Sequence, residues 1–373
     1  MNLPPNTLCY GTYEELLSNP DIDAVYMPLP TAEHLKWVTS AALQGKHILL
    51  EKPCAISAQI LHEIITICRT SNVVLMDGVM FNHHCRTRSL LKELHDPFRG
   101  ISACRVHSSF SFKADDHFYS SNIRASSSND PLGAPGDLAW YCIRLGLLAF
   151  SEYSSEAYLA SINSAHSTGL HYGLQFPRAV PTCQVKSFNW SIDGKVPLDC
   201  EGRVSFGFHH KRVGDQVLRL ERVLVFDSSF LLPLRQTFEI SSVARSYFDD
   251  DLTRGVSDKI FRCRDFVIPN KPSSASFSMQ SMGDYSLTDR ATRYHSCEEE
   301  VAVAGPGMID QEVAMFTEFA RIAIEKDPRG KVWAALSMAT QLICDACMQS
   351  LRSDGEPVAV DEQLWLQLGQ YTL

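Results

Sequence analysis

Between Asp23 and Met76 the chain alternates short apolar runs with amphipathic stretches, and this alternation constrains the fold more than anything else in the sequence. Asp23–Leu29 (DAVYMPL) is a brief apolar run ended by prolines, the pattern of a buried strand. Thr31 is placed to cap a helix in which Leu35, Val38 and Ala42 recur at helical spacing, and Gly45 stops it. His47–Leu50 reads as the next strand. Ser57 opens a second helix with Ile60, Leu61, Ile64, Ile65 and Cys68 facing inward, and a strand at Val73–Met76 follows. Upstream, Thr12 and Glu15 form a capping box for a short helix ending near Pro20. Strand, helix, strand, helix, strand at this spacing predicts βαβ units and a parallel sheet. In such a sheet a ligand crevice lies beyond the C-terminal strand ends.

From about residue 101 the texture changes. Ile101–Phe112 alternates like a half-exposed strand, a polar loop follows, and a helix begins near Asp137. Later β-type runs at Val217–Phe226, Thr237–Val243 and Arg264–Ile268 are joined by polar loops, and helices are predicted at about 311–325 and 332–351. The Ser-rich stretch Lys271–Ser281 reads as a surface loop. The expected class is α/β: a Rossmann-type parallel-sheet domain over residues 1–100, then an α+β domain with an open, mainly antiparallel sheet over residues 101–373. A length of 373 residues accommodates both.

The net charge of −9 argues against a general nucleic-acid or anionic-membrane surface. No apolar run approaches the roughly 18 residues of a membrane span. The start, MNLPPNTLCYGTYEELL, has the layout of neither a signal peptide nor a transit peptide, so a cytoplasmic protein is expected. The cysteines are mostly scattered singly, as reduced thiols are; Cys344 and Cys347 form a C-x-x-C inside a helical run, where a structural role outweighs redox or metal chemistry.

Three clusters carry candidate chemistry. The turn Pro28–His34 follows the first strand, where the N–H groups of a new helix favour an anion; an ordinary capped turn explains the same residues. Glu51-Lys52-Pro53 follows the buried strand HILL, so Lys52 is either a solvated strand-end charge or a cation placed at the crevice, and a cis bond before Pro53 would aim it. Gly133–Asp137 leads into a helix on which Asp137 and Tyr141, four residues apart, share a face. That pair is either a cap with packing or a proton-transfer group, a phenol beside an ammonium having a lowered pKa. Asn82, His83 and His84 lie near these clusters, and without further ligands hydrogen bonding or solvent exposure is expected of them rather than metal binding.

The run DIDAVYMPLPTAEHLKWVTSAALQGKHILLEKP, with its P-x-x-x-H turn, A-x-x-x-G-K-H and E-K-P, resembles the core signature of the glucose–fructose oxidoreductase/inositol dehydrogenase (Gfo/Idh/MocA) family. GDLAWYCIR, DGVMFNHHCR, Phe110–Phe118 and Arg264–Pro269 resemble its D-xylose and dihydrodiol dehydrogenase branch. The resemblance implies an NADP- or NAD-dependent oxidoreductase moving a hydride between the cofactor and the CH–OH group of a sugar or diol. It implies Lys52, Asp137 and Tyr141 as catalytic residues, with Pro30, Thr31, His34, Glu51, Lys52 and Pro53 lining the cofactor, no metal, and a homodimer through the C-terminal sheet.

Two departures qualify the likeness. The Gly-rich phosphate turn that opens the family's first βαβ unit is not found, the one G-x-G being Gly305-Pro306-Gly307; the first domain is therefore expected to be truncated, with weakened cofactor binding. The stretch from about 201 to 226 reads as an insert, or as an extra hairpin. The competing expectation is a catalytically inactive paralogue acting only in interaction or oligomerisation.

Overall fold

Apolar strands and capped amphipathic helices take up the order their patterns specify. The computed structural model describes residues 4, 6–97, 100–153, 158–159, 173–213, 216–244, 258–269, 276–282, 296–302 and 310–371. Helix α1 (Tyr13–Ser18) is capped by Thr12, whose hydroxyl accepts from the Glu15 N–H at 3.1 Å. Then come β1 (Ala24–Met27), α2 (His34–Leu43), β2 (His47–Leu50), α3 (Ala58–Thr70) and β3 (Leu75–Asp77). The three strands form a parallel sheet in the order β1-β2-β3, with Val25 opposite Ile48 and Ile48 opposite Leu75. Ile48, Leu49 and Leu50 of the middle strand are fully buried, as a strand covered on both faces requires. Ser57 caps α3 by accepting from the Ile60 N–H, and Leu61, Ile64, Ile65 and Cys68 form its buried stripe.

Thr31 does not cap α2 as its position suggests. A 3₁₀ turn, Thr31–Glu33, precedes the helix, and the Thr31 hydroxyl and N–H both donate to the Asp130 carboxylate. A charged acceptor from a later loop has outcompeted the local cap.

The second part contains α4 (Cys85–His95), β4 (Ile101–Ser111), α5 (Asp116–Ser121), α6 (Trp140–Phe150), β5 (Glu152–Tyr153), β6 (Leu174–Gln175) and β7 (Thr182–Lys186). The strands β8 (Asp199–Val213), β9 (Gln216–Ser229), β10 (Arg235–Ala244), β11 (Asp258–Arg264), β12 (Ser276–Met282) and β13 (Ser296–Ala302) follow. Helix α7 (Gln311–Glu325), helix α8 (Val332–Arg352), β14 (Val358–Ala359) and α9 (Glu362–Leu366) complete the described chain. Nine strands make one sheet in the order β13-β12-β11-β10-β4-β9-β8-β7-β14, antiparallel except for the parallel pair β4–β9. Every residue of α6 is buried, because it packs on β4 and β9 below and against α8 beside it.

The stretch read as an insert is divided by the sheet. Residues 201–205 pair with β7, and 223–229 pair with β4, so both belong to its interior; only the ribbon between them, from Phe208 to Glu221, pairs with itself alone. Arg264–Ile268, read as a β-type run, lies mostly beyond the end of β11, and the Ser-rich loop gives way to β12 at Ser276. Gly305-Pro306-Gly307 lies outside the described residues.

The two sheets are joined by buried polar bonds. Arg144 of α6 donates to the Asp77 carboxylate at 2.6 Å and to the Thr340 hydroxyl at 2.8 Å, with both charged side chains at most 1% exposed. Asp345 of α8 accepts from the Ala58 N–H at the start of α3 (2.6 Å) and from the Gln341 amide (2.8 Å). Arg144→Met strands the Asp77 charge in the interior and is expected to cost about 3–5 kcal/mol in urea denaturation; a loss below about 1 kcal/mol would contradict a buried clamp. Burial raises the Asp345 carboxyl to about 6, above its unfolded value. The folded state therefore holds this proton more tightly, and stability falls as pH rises from about 4 to 6. Asp345→Asn keeps an acceptor for Ala58 and should stabilise the protein at pH 7.5 by about 2 kcal/mol, with a flatter melting profile between pH 4 and 6.

Candidate active site

The C-terminal ends of β1 and β2 meet the turn that enters α6, and the candidate residues gather there. Lys52, just past β2, donates to the Asp137 carboxylate at 2.5 Å and to the Asp137 carbonyl at 2.7 Å. Its ammonium stands 4.7 Å from the centre of the Tyr141 ring. Lys52 is thus a placed cation, with a side chain only 7% exposed, rather than a solvated strand end. The Lys52–Pro53 peptide is cis. Asp137 lies in a wide turn, Pro135–Ala139, wound with π-type spacing ahead of α6. Two glycines allow this turn to approach. Gly133 has φ +55° and so little room that a side chain would meet the Pro197 carbonyl at 2.3 Å; a side chain at Gly136 would press on Leu132 and on Pro53.

Tyr141 is buried, its ring packed against Phe81 and Phe110, and its hydroxyl donates to the Met80 sulfur at 3.6 Å. On the β1 side, the Tyr26 hydroxyl donates to Glu51 at 2.6 Å, while its ring meets Phe316 of α7 edge-on. Outside the Lys52–Asp137 pair stands Arg124, whose Nε lies 3.0 Å from the second Asp137 oxygen.

Electrostatics differ from the sequence expectation at one point. Tyr141 does not have a lowered pKa: burial pushes it up to about 12, and although Lys52 pulls it down, the Asp137 and Glu51 charges add to the rise. The phenol therefore carries its proton at neutral pH. Lys52 is pulled down by burial, yet Asp137 holds it above its ordinary value, so the ammonium stays charged. Burial would raise Asp137, but Lys52 and Arg124 outweigh it and keep the carboxylate ionised.

Pro30 and Glu51 are half-buried at the strand ends beside Lys52, and Pro53 is buried behind them. His34 is 1% exposed, with ring nitrogens 3.1 Å from the Cys54 carbonyl and 2.9 Å from the Leu29 carbonyl, so it braces the two turns from behind. The anion-favouring N–H groups at this turn are already engaged, Thr31 by the Asp130 carboxylate and Ala32 by the Asn129 carbonyl. Asn82, His83 and His84 are buried, not solvent-exposed: His83 stacks on Trp333 at 4.6 Å, and His84 caps α4 by accepting from the Arg86 N–H. Burial and Arg86 lower His84 to about 4, which keeps it neutral for that role.

Cys344 and Cys347 are buried in α8. Burial drives the Cys344 thiol well up; a bond to Cys183, with burial, does the same for Cys347. Among the described residues no group of three or more His, Cys, Asp or Glu is arranged to hold a metal ion. Sequence reasoning missed Arg124, Asp130, Met80 and Tyr26. Arg124 and Asp130 lie in an aperiodic polar loop, where the only signal is a lone cation and a carboxylate among serines and asparagines.

Residues 4–79 match the model of an oxidoreductase family with an NAD-binding Rossmann fold, Gfo/Idh/MocA. The chain is 36% identical over 107 residues to D-xylose 1-dehydrogenase (NADP(+)) 2 of Haloferax volcanii, covering 29% of this chain and 32% of that protein. It is 26% identical over 189 residues to mouse (Mus musculus) trans-1,2-dihydrobenzene-1,2-diol dehydrogenase, covering 50% and 54% of the two chains. The matched stretches thus span between a third and about half of these curated relatives. In fold, the chain is similar to a 3-ketoreductase from Actinomadura kijaniata solved with NADP and TDP-benzene, with TM-score 0.59, 17% identity, and 91% and 82% of the two chains covered. It is also similar to levoglucosan dehydrogenase solved with NADH and levoglucosan, with TM-score 0.61, 16% identity, and 94% and 83% covered. The likeness to the Gfo/Idh/MocA family of NAD-binding oxidoreductases is thus carried by residues 4–79, and the likeness of the remainder is one of fold.

Proposed function

We propose that the chain interconverts an alcohol and a carbonyl on a sugar or diol, using NADP or NAD, with Tyr141 as the proton-transfer group, Lys52 as its electrostatic partner and Asp137 as the residue that orients Lys52. The observation that carries this reading is the buried ammonium of Lys52, held by Asp137 and poised over the Tyr141 ring, where two parallel strands end. The residues fit the nicotinamide end of the cofactor: Pro30, Thr31, Glu51, Lys52 and Pro53 form two adjoining turns, and His34 fixes their spacing. They do not offer a phosphate cradle at the first turn, because Asp130 takes the Thr31 N–H and Asn129 the Ala32 N–H. When bound, the nicotinamide supplies or accepts the hydride.

The residues of the chain account for the proton. A phenol raised to about 12 is protonated at rest, so Tyr141 is set to donate to a carbonyl oxygen that gains negative charge. Lys52 favours the phenolate left behind, and the Phe81 and Phe110 rings pack against the Tyr141 ring and hold it in place. Carbonyl reduction should therefore hold level through neutral pH and fall as Tyr141 ionises, whereas alcohol oxidation should rise with pH.

The remaining partner is a second copy of the chain across the open face of the nine-stranded sheet. That face carries a groove of about 1360 Å³, lined by residues such as His107, Glu239 and Arg262. Its cross-strand ion pair Arg262–Glu239, at 2.7 Å, leaves both side chains 38% exposed. A cytoplasmic location suits the reduced state of the described cysteines, which form no disulfide with one another; no helix among the described residues is long and apolar enough to cross a membrane.

Titration of the purified protein with NADPH, followed by nicotinamide fluorescence, tests the enzyme reading, and an absence of binding at millimolar cofactor would sink it in favour of a purely associative role. If cofactor binds, Tyr141→Phe should lower turnover by about 10²-fold or more with little change in affinity; loss of affinity instead would contradict the proton-transfer assignment. Light scattering should give a dimer for the wild type and a larger monomer fraction for Arg262→Glu, which sets two carboxylates opposite each other. A strictly monomeric wild type would overturn the interface.

A further inference from the structure

Arg124 reaches the site on a loop fixed at both ends. Asn122 caps the 3₁₀ turn Ile123–Ala125 by accepting from the Arg124 N–H at 3.0 Å. The Asn129 amide donates to the Ser126 hydroxyl at 2.9 Å, and the far end is tied to the β1 turn by Asp130 on Thr31 and by Ala32 N–H on the Asn129 carbonyl at 3.0 Å. The guanidinium is thus brought to Asp137 by a loop that is braced internally and tied to the β1 turn, as a preorganised site requires.

This placement changes the net charge beside Tyr141. Lys52 and Asp137 alone form a neutral pair, whose field on a neighbouring phenol largely cancels. Arg124 takes the outer oxygen of the same carboxylate, Lys52 the inner one, so two cations share one anion. The titratable and charged groups facing Tyr141 are Lys52 and Glu51 from the turn after β2, Tyr26 from β1, Asp137 from the turn before its own helix, and Arg124 from the loop. The other sides of its ring are covered by Met80, Phe81 and Phe110.

We propose that Arg124 is a positioning residue for the reaction: by binding the outer oxygen of Asp137 it offsets that carboxylate's charge and strengthens the positive field of Lys52 on Tyr141. It acts through Asp137 and Lys52 and does not itself exchange a proton. The inference rests on the function proposed above for what Tyr141 does. An ordinary half-exposed ion pair, 40% exposed on the arginine side, would instead contribute only to local stability.

The test compares wild type, Arg124→Met and Arg124→Lys in the oxidation of D-xylose with NADP, recorded as kcat/KM against pH. The acid limb of Arg124→Met should move up by about one pH unit, giving roughly tenfold lower kcat/KM at neutral pH. Its NADPH dissociation constant should stay within about twofold of the wild-type value, and Arg124→Lys should restore most of the limb. A Met variant with an unchanged rate, or with a loss that Arg124→Lys does not recover, overturns the proposal. A wild type that binds no NADPH or oxidises no D-xylose marks failure of the enzyme reading or of the probe, and a second measurement then decides on Arg124. In ¹³C-tyrosine-labelled protein, with the Tyr141 signal assigned by its loss in Tyr141→Phe, the Tyr141 titration midpoint should lie higher in Arg124→Met than in wild type. Coincident midpoints would overturn the role of Arg124 regardless of activity.

Discussion

The bond that the rest of the molecule depends on is the buried ion pair between Asp77 and Arg144. Asp77 ends β3 of the parallel sheet, and Arg144 lies one turn beyond Tyr141 on α6, the helix that covers the nine-stranded sheet. Two fully desolvated charges tolerate little change in distance, since neither has water to fall back on. The pair, with Thr340 of α8, therefore fixes the height of α6 above the parallel strands. That height sets where Tyr141 stands relative to Lys52.

The site follows from this clamp. Lys52 comes from one sheet, Tyr141 from the helix over the other and Asp137 from the turn that enters that helix, and the contacts that join them lie in the seam. Burial in the seam has opposing effects. It raises the phenol and keeps its proton on, while it strengthens the attraction between Lys52 and Asp137 enough to keep both charged. A single lowered phenol pKa is the wrong description of such a site; the paired charges resist burial and the unpaired phenol yields to it.

Sequence patterns recovered the local elements well wherever one residue type has one physical use. Ser57 could only cap, the α3 stripe could only face inward, and the fully apolar β2 could only be a central strand. They failed where a distant group competed for the same atoms. Thr31 has the chemistry of a cap, but Asp130, about a hundred residues later, takes its hydroxyl and N–H. His34 reads as a cofactor residue from its motif, yet both its ring nitrogens face backbone carbonyls. The stretch around 201–226 looks like surplus because its alternation is broken, although its two ends pair with β7 and β4 inside the sheet.

The sequence by itself determined the parallel βαβ core and the strand-end position of Lys52, whereas Asp137 stands in a π-wound turn before the helix that carries Tyr141 and not on a shared α-helical face. The core and the Lys52 position rest on periodicity and capping, which act over a few residues. Tertiary structure decided that Lys52 is buried and paired, that Tyr141 keeps its proton, that the turn's N–H groups are already occupied, and that Arg124 joins the site. Each of those depends on desolvation and on charges brought together from remote parts of the chain, and neither leaves a local pattern to read.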